Sequence, residues 1–123
     1  MRFLCLGYLD VNAFDALPDV RKGEVLEACA AQCVPFRATG KVVEEEGLQH
    51  PRLAKTIRPR KGRPLVTDGP FAEAREQIGS FFIVEAANLE EAVAVASLHP
   101  AALLGERYGF GIEVRPLEIR RTA

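Results

Sequence analysis

The chain has 123 residues, enough for one hydrophobic core and too few for two. Its 48% hydrophobic and 27% charged residues are the balance of an ordinary globular domain and exclude a disordered or fibrous chain. A formal net charge of −1 gives no overall attraction to nucleic acid or anionic membranes, and no segment approaches the roughly 20 consecutive apolar residues that a membrane span requires.

The opening Met1 to Leu6 lacks the length and cleavage site of a signal peptide, so the expected location is cytoplasmic. Cys5, Cys29 and Cys33 are odd in number and contain no C-x-x-C pair, which is the pattern of reduced thiols. Cys29 and Cys33 share helical spacing, but no third ligand lies close in sequence. Packing is therefore the expectation for both, and no metal site is predicted.

Arg2 to Leu9 reads as a strand that is apolar on both faces, with Phe3, Cys5 and Gly7 on one side and Leu4, Leu6 and Tyr8 on the other. After Pro18, the spacing of Val25, Leu26, Cys29, Cys33 and Phe36 predicts a long helix, with Gly40 as its stop. Pro35 removes a backbone donor within that pattern and predicts a kink or an early end near Cys33. Lys41 to Gly47, Leu53 to Arg60 and Pro64 to Thr67 then read as a meander of short strands, with a turn at Lys61-Gly62.

Ser80 to Ala87 reads as a second strand apolar on both faces, with Phe81 and Ile83 opposite Phe82 and Val84. Asn88 is placed to cap the next helix, with Glu91 answering it, and Leu89, Ala92, Val93 and Ala96 form the apolar stripe. His99-Pro100 ends that helix, Ala101 to Glu106 adds a short helical piece, and Phe110 to Arg120 is the last strand. The order is that of an α+β, ferredoxin-like split βαβ antiparallel sheet with two main helices on one face. Two helices leave the other face bare, so the expected partner is a second copy, in a homodimer with facing sheets.

The most distinctive run is Val66-Thr67-Asp68-Gly69-Pro70-Phe71-Ala72-Glu73-Ala74-Arg75-Glu76-Gln77-Ile78-Gly79, a strand end entering a tight turn and a short helix. It resembles the DGPF motif of the YCII-related family, and the flanking features agree over nearly the whole chain: the apolar first strand, Gly47-Leu48, the Asn88 to Ala96 helix and Ile112-Glu113-Val114-Arg115-Pro116. The resemblance implies one domain spanning residues 1–123 and a dimeric α/β-barrel assembly. Wider relatives include enzymes acting on small aromatic compounds, a chlorohydroxyquinol dehydrochlorinase among them, and a His and Asp pair has been suggested for wider members. Other members occur fused to or beside sigma-factor modules.

On the residues alone, Asp68-Gly69-Pro70 builds a turn, because Asp accepts from nearby amides, Gly permits positive φ and Pro suits a first helical turn. The functional reading makes Asp68 a general acid or base at a strand end beside the dimer's cleft, with His99 as its catalytic partner. Gly69 and Pro70 then border the ligand, and Glu113 and Arg115, projecting from the same side of the last strand, line the cleft. Against it, His99 in the last turn of a helix suits the helix dipole and faces water. His50 sits in a loop and reads as exposed, Glu44-Glu45-Glu46 as a solvated edge, and Arg58 to Arg63 as a basic hairpin tip suited to a phosphate or carboxylate.

No nucleotide, flavin or metal motif is present, so no cofactor is expected. The expected function is a small-molecule enzyme using acid–base chemistry in a cleft near the dimer interface. The alternative is a non-catalytic ligand-binding or regulatory module linked to transcription.

Overall fold

A computed structural model of the chain describes residues 1–119. Its order is β1 (Arg2–Asp10), α1 (Val11–Asp15), α2 (Asp19–Arg37), β2 (Val42–Gly47), a 3-10 turn (Pro51–Leu53), β3 (Lys55–Arg60) and β4 (Arg63–Asp68). Then come β5 (Glu76–Glu85), α3 (Leu89–Ala96), α4 (Pro100–Leu103), a second 3-10 turn (Glu106–Tyr108) and β6 (Gly111–Pro116). Four strands form one antiparallel sheet in the order β2-β5-β1-β6, which is the split βαβ arrangement, while β3 and β4 stand apart as a two-stranded hairpin. Of the last strand expected to reach Arg120, β6 ends at Pro116, and Arg120 lies outside the described residues.

The expected meander does not form, because β2 pairs with β5 and never with β3. Pro59 lies opposite Pro64 in the hairpin, so that rung has no backbone donor to offer another strand. The turn is as read: Lys61 and Gly62 both have positive φ, at 52° and 76°, as a two-residue hairpin loop requires.

Alternation along β1 and β5 sends Phe3, Cys5, Phe82 and Val84 to one face, where they are fully buried. Ala92, Val95 and Ala96 of α3 close over them, and Asn88 caps that helix by accepting from the Glu91 amide at 2.9 Å. Desolvation pushes the Cys5 thiol up to about 11, so it stays protonated and packs as an apolar group. Leu4 and Leu6 of β1, Phe81 and Ile83 of β5, and Glu113 and Arg115 of β6 occupy the opposite face, which no helix covers. Among the described residues, no helix is long and apolar enough to cross a membrane.

Helix α2 runs two residues beyond Pro35 instead of ending near Cys33. The reason is Phe36, fully buried with its ring 4.8 Å from Phe82, so tertiary packing holds the last turn against the cost of the proline. Val25, Cys29 and Cys33 are half-buried in line with Phe36, whereas Leu26, expected in the same stripe, is exposed. Phe36→Ala should lower the unfolding free energy by about 3–5 kcal/mol in denaturant titration, whereas Leu26→Ala should stay within about 0.5 kcal/mol of the parent.

Candidate functional site

A β-bulge starts the site. Gly7 faces Ser80 but Tyr8 faces Ile78, so Gly79 has no partner in the β1–β5 ladder. A Cβ at Gly7 would overlap the Ser80 hydroxyl, and one at Gly79 would meet the tip of the Leu9 side chain, so a larger residue at either position obliges that neighbour to shift. The freed Gly79 carbonyl accepts from the Leu48 amide at 2.8 Å, which anchors the segment after β2 beside the sheet. Tyr8, Ile78, that segment and the residues following β4 border an open cavity of about 730 Å³, the size of a small-molecule site.

The residues after β4 form its other wall. Gly69 has φ of +98°, a conformation that favours glycine, its amide donates to the Ala54 carbonyl at 2.8 Å, and its carbonyl accepts from the buried Thr56 hydroxyl at 2.8 Å. This double tie fixes the turn, and Pro70 and Phe71 emerge from it along the cavity. The Arg58 guanidinium donates to the Phe71 carbonyl at 2.8 Å and lies 4.0 Å over its ring, a cation–π contact that holds the ring in place. No helix follows; the Gln77 amide instead donates to the carbonyls of Ala72 and Ala74, at 3.0 and 2.8 Å, satisfying backbone groups that a helix would have paired.

His50, expected to be exposed in a loop, lines this cavity and pairs with Asp15, its Nε2 lying 2.9 Å from the carboxylate. Its Nδ1 accepts from the Arg52 amide at 3.1 Å, so a neutral ring carries its proton on Nε2 and donates it to Asp15. The pair joins residues 35 apart in sequence. The one sequence signal for it is His50-Pro51, a residue with an acceptor side chain before a proline that opens a helical turn.

Asp68 and His99, predicted to work together, border no common cavity. The Asp68 side chain is 84% exposed at the foot of the hairpin, where it pairs with Lys55 across the β3–β4 ladder. His99 is packed inward, its ring stacked on Phe82 at 4.7 Å and edge-on to Phe36 at 4.9 Å, and its Nδ1 caps α4 by accepting from the Ala101 amide at 3.0 Å. It borders a separate cleft of about 250 Å³ with Cys33 and the ion pair Arg37–Glu45. The expectation of a solvent-facing helix-end histidine is corrected by this stacking. Of the four predicted ligand-binding residues, Pro70 lines the large cavity and Gly69 shapes its wall, while Glu113 and Arg115 pair with each other on the uncovered sheet face. Among the described residues, no three His, Cys, Asp or Glu side chains gather as a metal site.

The sequence profile of the YCII-related domain matches residues 1–112. The chain belongs to the YCII-related family. An uncharacterised protein of Rhizobium meliloti is 30% identical over 93 residues, which cover 76% of this chain and 75% of that protein. A solved structure, 5-chloro-2-hydroxyhydroquinone dehydrochlorinase from Burkholderia phenoliruptrix in complex with 2,5-dihydroxybenzoquinone, is similar over 96% of this chain and 94% of its own, with 18% identity and a TM-score of 0.48.

In this YCII-related chain the two histidines have opposite surroundings. Burial pulls His99 down to about 4 from its ordinary 6.5, and Arg37 pushes the same way, while Glu45 opposes. Below pH 6.5 the unfolded chain takes up a proton that the folded ring refuses until about pH 4, so the His99 contribution makes the protein less stable as pH drops from about 6.5 to about 4 and adds no slope above that window. His99→Phe should abolish this slope in denaturant titrations repeated from pH 7 to pH 4; an unchanged slope would assign it to other groups.

Proposed function

We propose that the cavity bordered by His50, Tyr8 and Phe71 binds a small, flat, largely apolar molecule carrying a hydroxyl or similar acidic group, and that His50 and Asp15 move its proton. The observation that carries this reading is the His50–Asp15 hydrogen bond at the wall of a cavity of about 730 Å³. Asp15 holds the ring by its Nε2 proton, leaving Nδ1 as the basic atom. A ligand hydroxyl that replaces the Arg52 amide at Nδ1 transfers its proton to the ring, and the Asp15 carboxylate steadies the imidazolium that results. Phe71 and Tyr8 supply flat apolar walls, and Gln77 and Glu76 supply polar groups beside them.

In this reading Gly69, tied to Ala54 and Thr56, fixes the turn that presents Pro70 and Phe71, Asp68 pairs with Lys55 at the hairpin foot, and His99 serves the core. The uncovered sheet face, reached through Tyr8 and Ile78 at the cavity, is read as the surface that meets a second copy in a homodimer, which sets the cavity near the dimer interface. A binding or regulatory module without turnover is the second reading. It is favoured by one observation, that both ring nitrogens of His50 already have partners.

Titration of the protein with a panel of substituted phenols and hydroxybenzoates, followed by NMR, should shift the His50 and Phe71 ring signals together. Phe71→Ala should weaken binding of the best compound at least tenfold, and Asp68→Asn should leave it unchanged. For any compound turned over, His50→Gln should lower kcat by about 10²–10⁴-fold. Binding that survives with no turnover selects the module reading, and a panel that perturbs neither ring rules out the cavity as the site.

A further inference from the structure

The β3–β4 hairpin is a basic arm with an exposed apolar face, whose ion pairs among the described residues are limited to Lys55–Asp68. Residues 55–68 carry five cations, Lys55, Arg58, Arg60, Lys61 and Arg63, against the single carboxylate of Asp68. The net charge of −1 is thus the difference between an arm at +4 and a remainder at −5. One face of the arm, set by the pairing of Ile57 with Val66 and of Pro59 with Pro64, is apolar and open to water, with Ile57 65% and Val66 57% exposed. A two-stranded hairpin with such a face is marginally stable in water by itself. Only its foot is tied down, through Thr56, Gly69 and the Arg58–Phe71 contact.

The uncovered face of the main sheet has the complementary character. Its centre is apolar, with Leu4, Leu6, Phe81 and Ile83, and the register of β2 places Glu44 opposite Ile83 and Glu46 opposite Phe81, both exposed along its edge. Arm and face also adjoin: the hairpin foot at Ala54 and Pro70 and the sheet residues Tyr8 and Ile78 line one cavity. A second copy seated on the sheet therefore comes within the neighbourhood of the arm.

Resting on the homodimer reading above, we propose that the β3–β4 arm is a clasp between copies, with the Arg60–Arg63 rung at its tip, on the face opposite Ile57 and Val66, set against Glu44 and Glu46 of a second copy. Opposite charges facing each other across an interface fix the register of the pair and speed their encounter, and burial of the apolar sheet centre supplies the non-directional part of the attraction. The clasp also orders the hairpin whose foot holds Phe71 in place, so association and the shape of the cavity are coupled.

Sedimentation equilibrium tests this in low salt, with circular dichroism confirming that each variant is folded. The wild-type chain should be a dimer at micromolar concentration. The double variants R60E/R63E and E44R/E46R should each raise the dimer Kd roughly tenfold or more. Combining all four substitutions in one chain should restore dimerisation, because each arm then meets an edge of opposite charge again. A wild-type dimer whose Kd is untouched by either double variant overturns the clasp and leaves the sheet-face dimer standing, as does a combined variant no better than its parents. A wild-type chain that is monomeric at all concentrations overturns both and leaves the arm to a different acidic partner.

Discussion

The fold hangs on the contact between Phe82 and its two neighbours. Phe82 lies on β5, Phe36 ends α2, and His99 leads into α4, so three parts of the chain that are remote in sequence meet in one aromatic cluster. The stacked imidazole is useful there because it is flat enough to lie on the Phe82 ring and polar enough to cap the α4 turn with the same side chain. Its burial is tolerable only while the ring is neutral, which ties the most central contact of the protein to pH. The same cluster explains how α2 continues past Pro35: the last turn is held from outside the helix.

The two His-Pro pairs show how one local rule can lead to different ends. In both, the proline opens a helical turn and the preceding histidine accepts from the amide two residues on, which leaves the Nε2 side of the ring to point away from the turn. At His99 that side is packed against aromatic rings beside the Arg37–Glu45 pair. At His50 it meets Asp15 at the cavity wall. Local chemistry sets the ring's tautomer, and tertiary surroundings decide whether the ring stacks on aromatic neighbours or pairs with a carboxylate.

One-sided cover is the second organising feature. Helices close a single face of the sheet, while β1 and β5 are apolar on both, so on the other face Leu4, Leu6, Phe81 and Ile83 lie half-buried against one another with no helix over them among the described residues. The bulge at Gly79 and the turn at Gly69 build the cavity at the margin of this face, and the basic hairpin rises from the same margin. Site, open face and arm are consequently neighbours, which is why a reading of the site and a reading of the assembly bear on each other.

Alternation of side chains along β1 and β5, the Asn88 cap, the Lys61-Gly62 turn and the glycine of Asp68-Gly69-Pro70 were all legible in the sequence, because each depends on residues within one or two turns of each other. The DGPF run borders the cavity through Pro70 and Phe71. It pointed to Asp68, however, whose carboxylate faces solvent, when the residues that reach the cavity are Pro70 and Phe71 beyond it. The sequence by itself determined the α+β order and the two-faced apolar strands, since periodicity and turn chemistry are local. That β2 joins β5, that His99 stacks on Phe82 and that His50 finds Asp15 emerged in three dimensions alone. Each of those depends on contacts between segments far apart in the chain, where spacing along the sequence carries no information about distance in space.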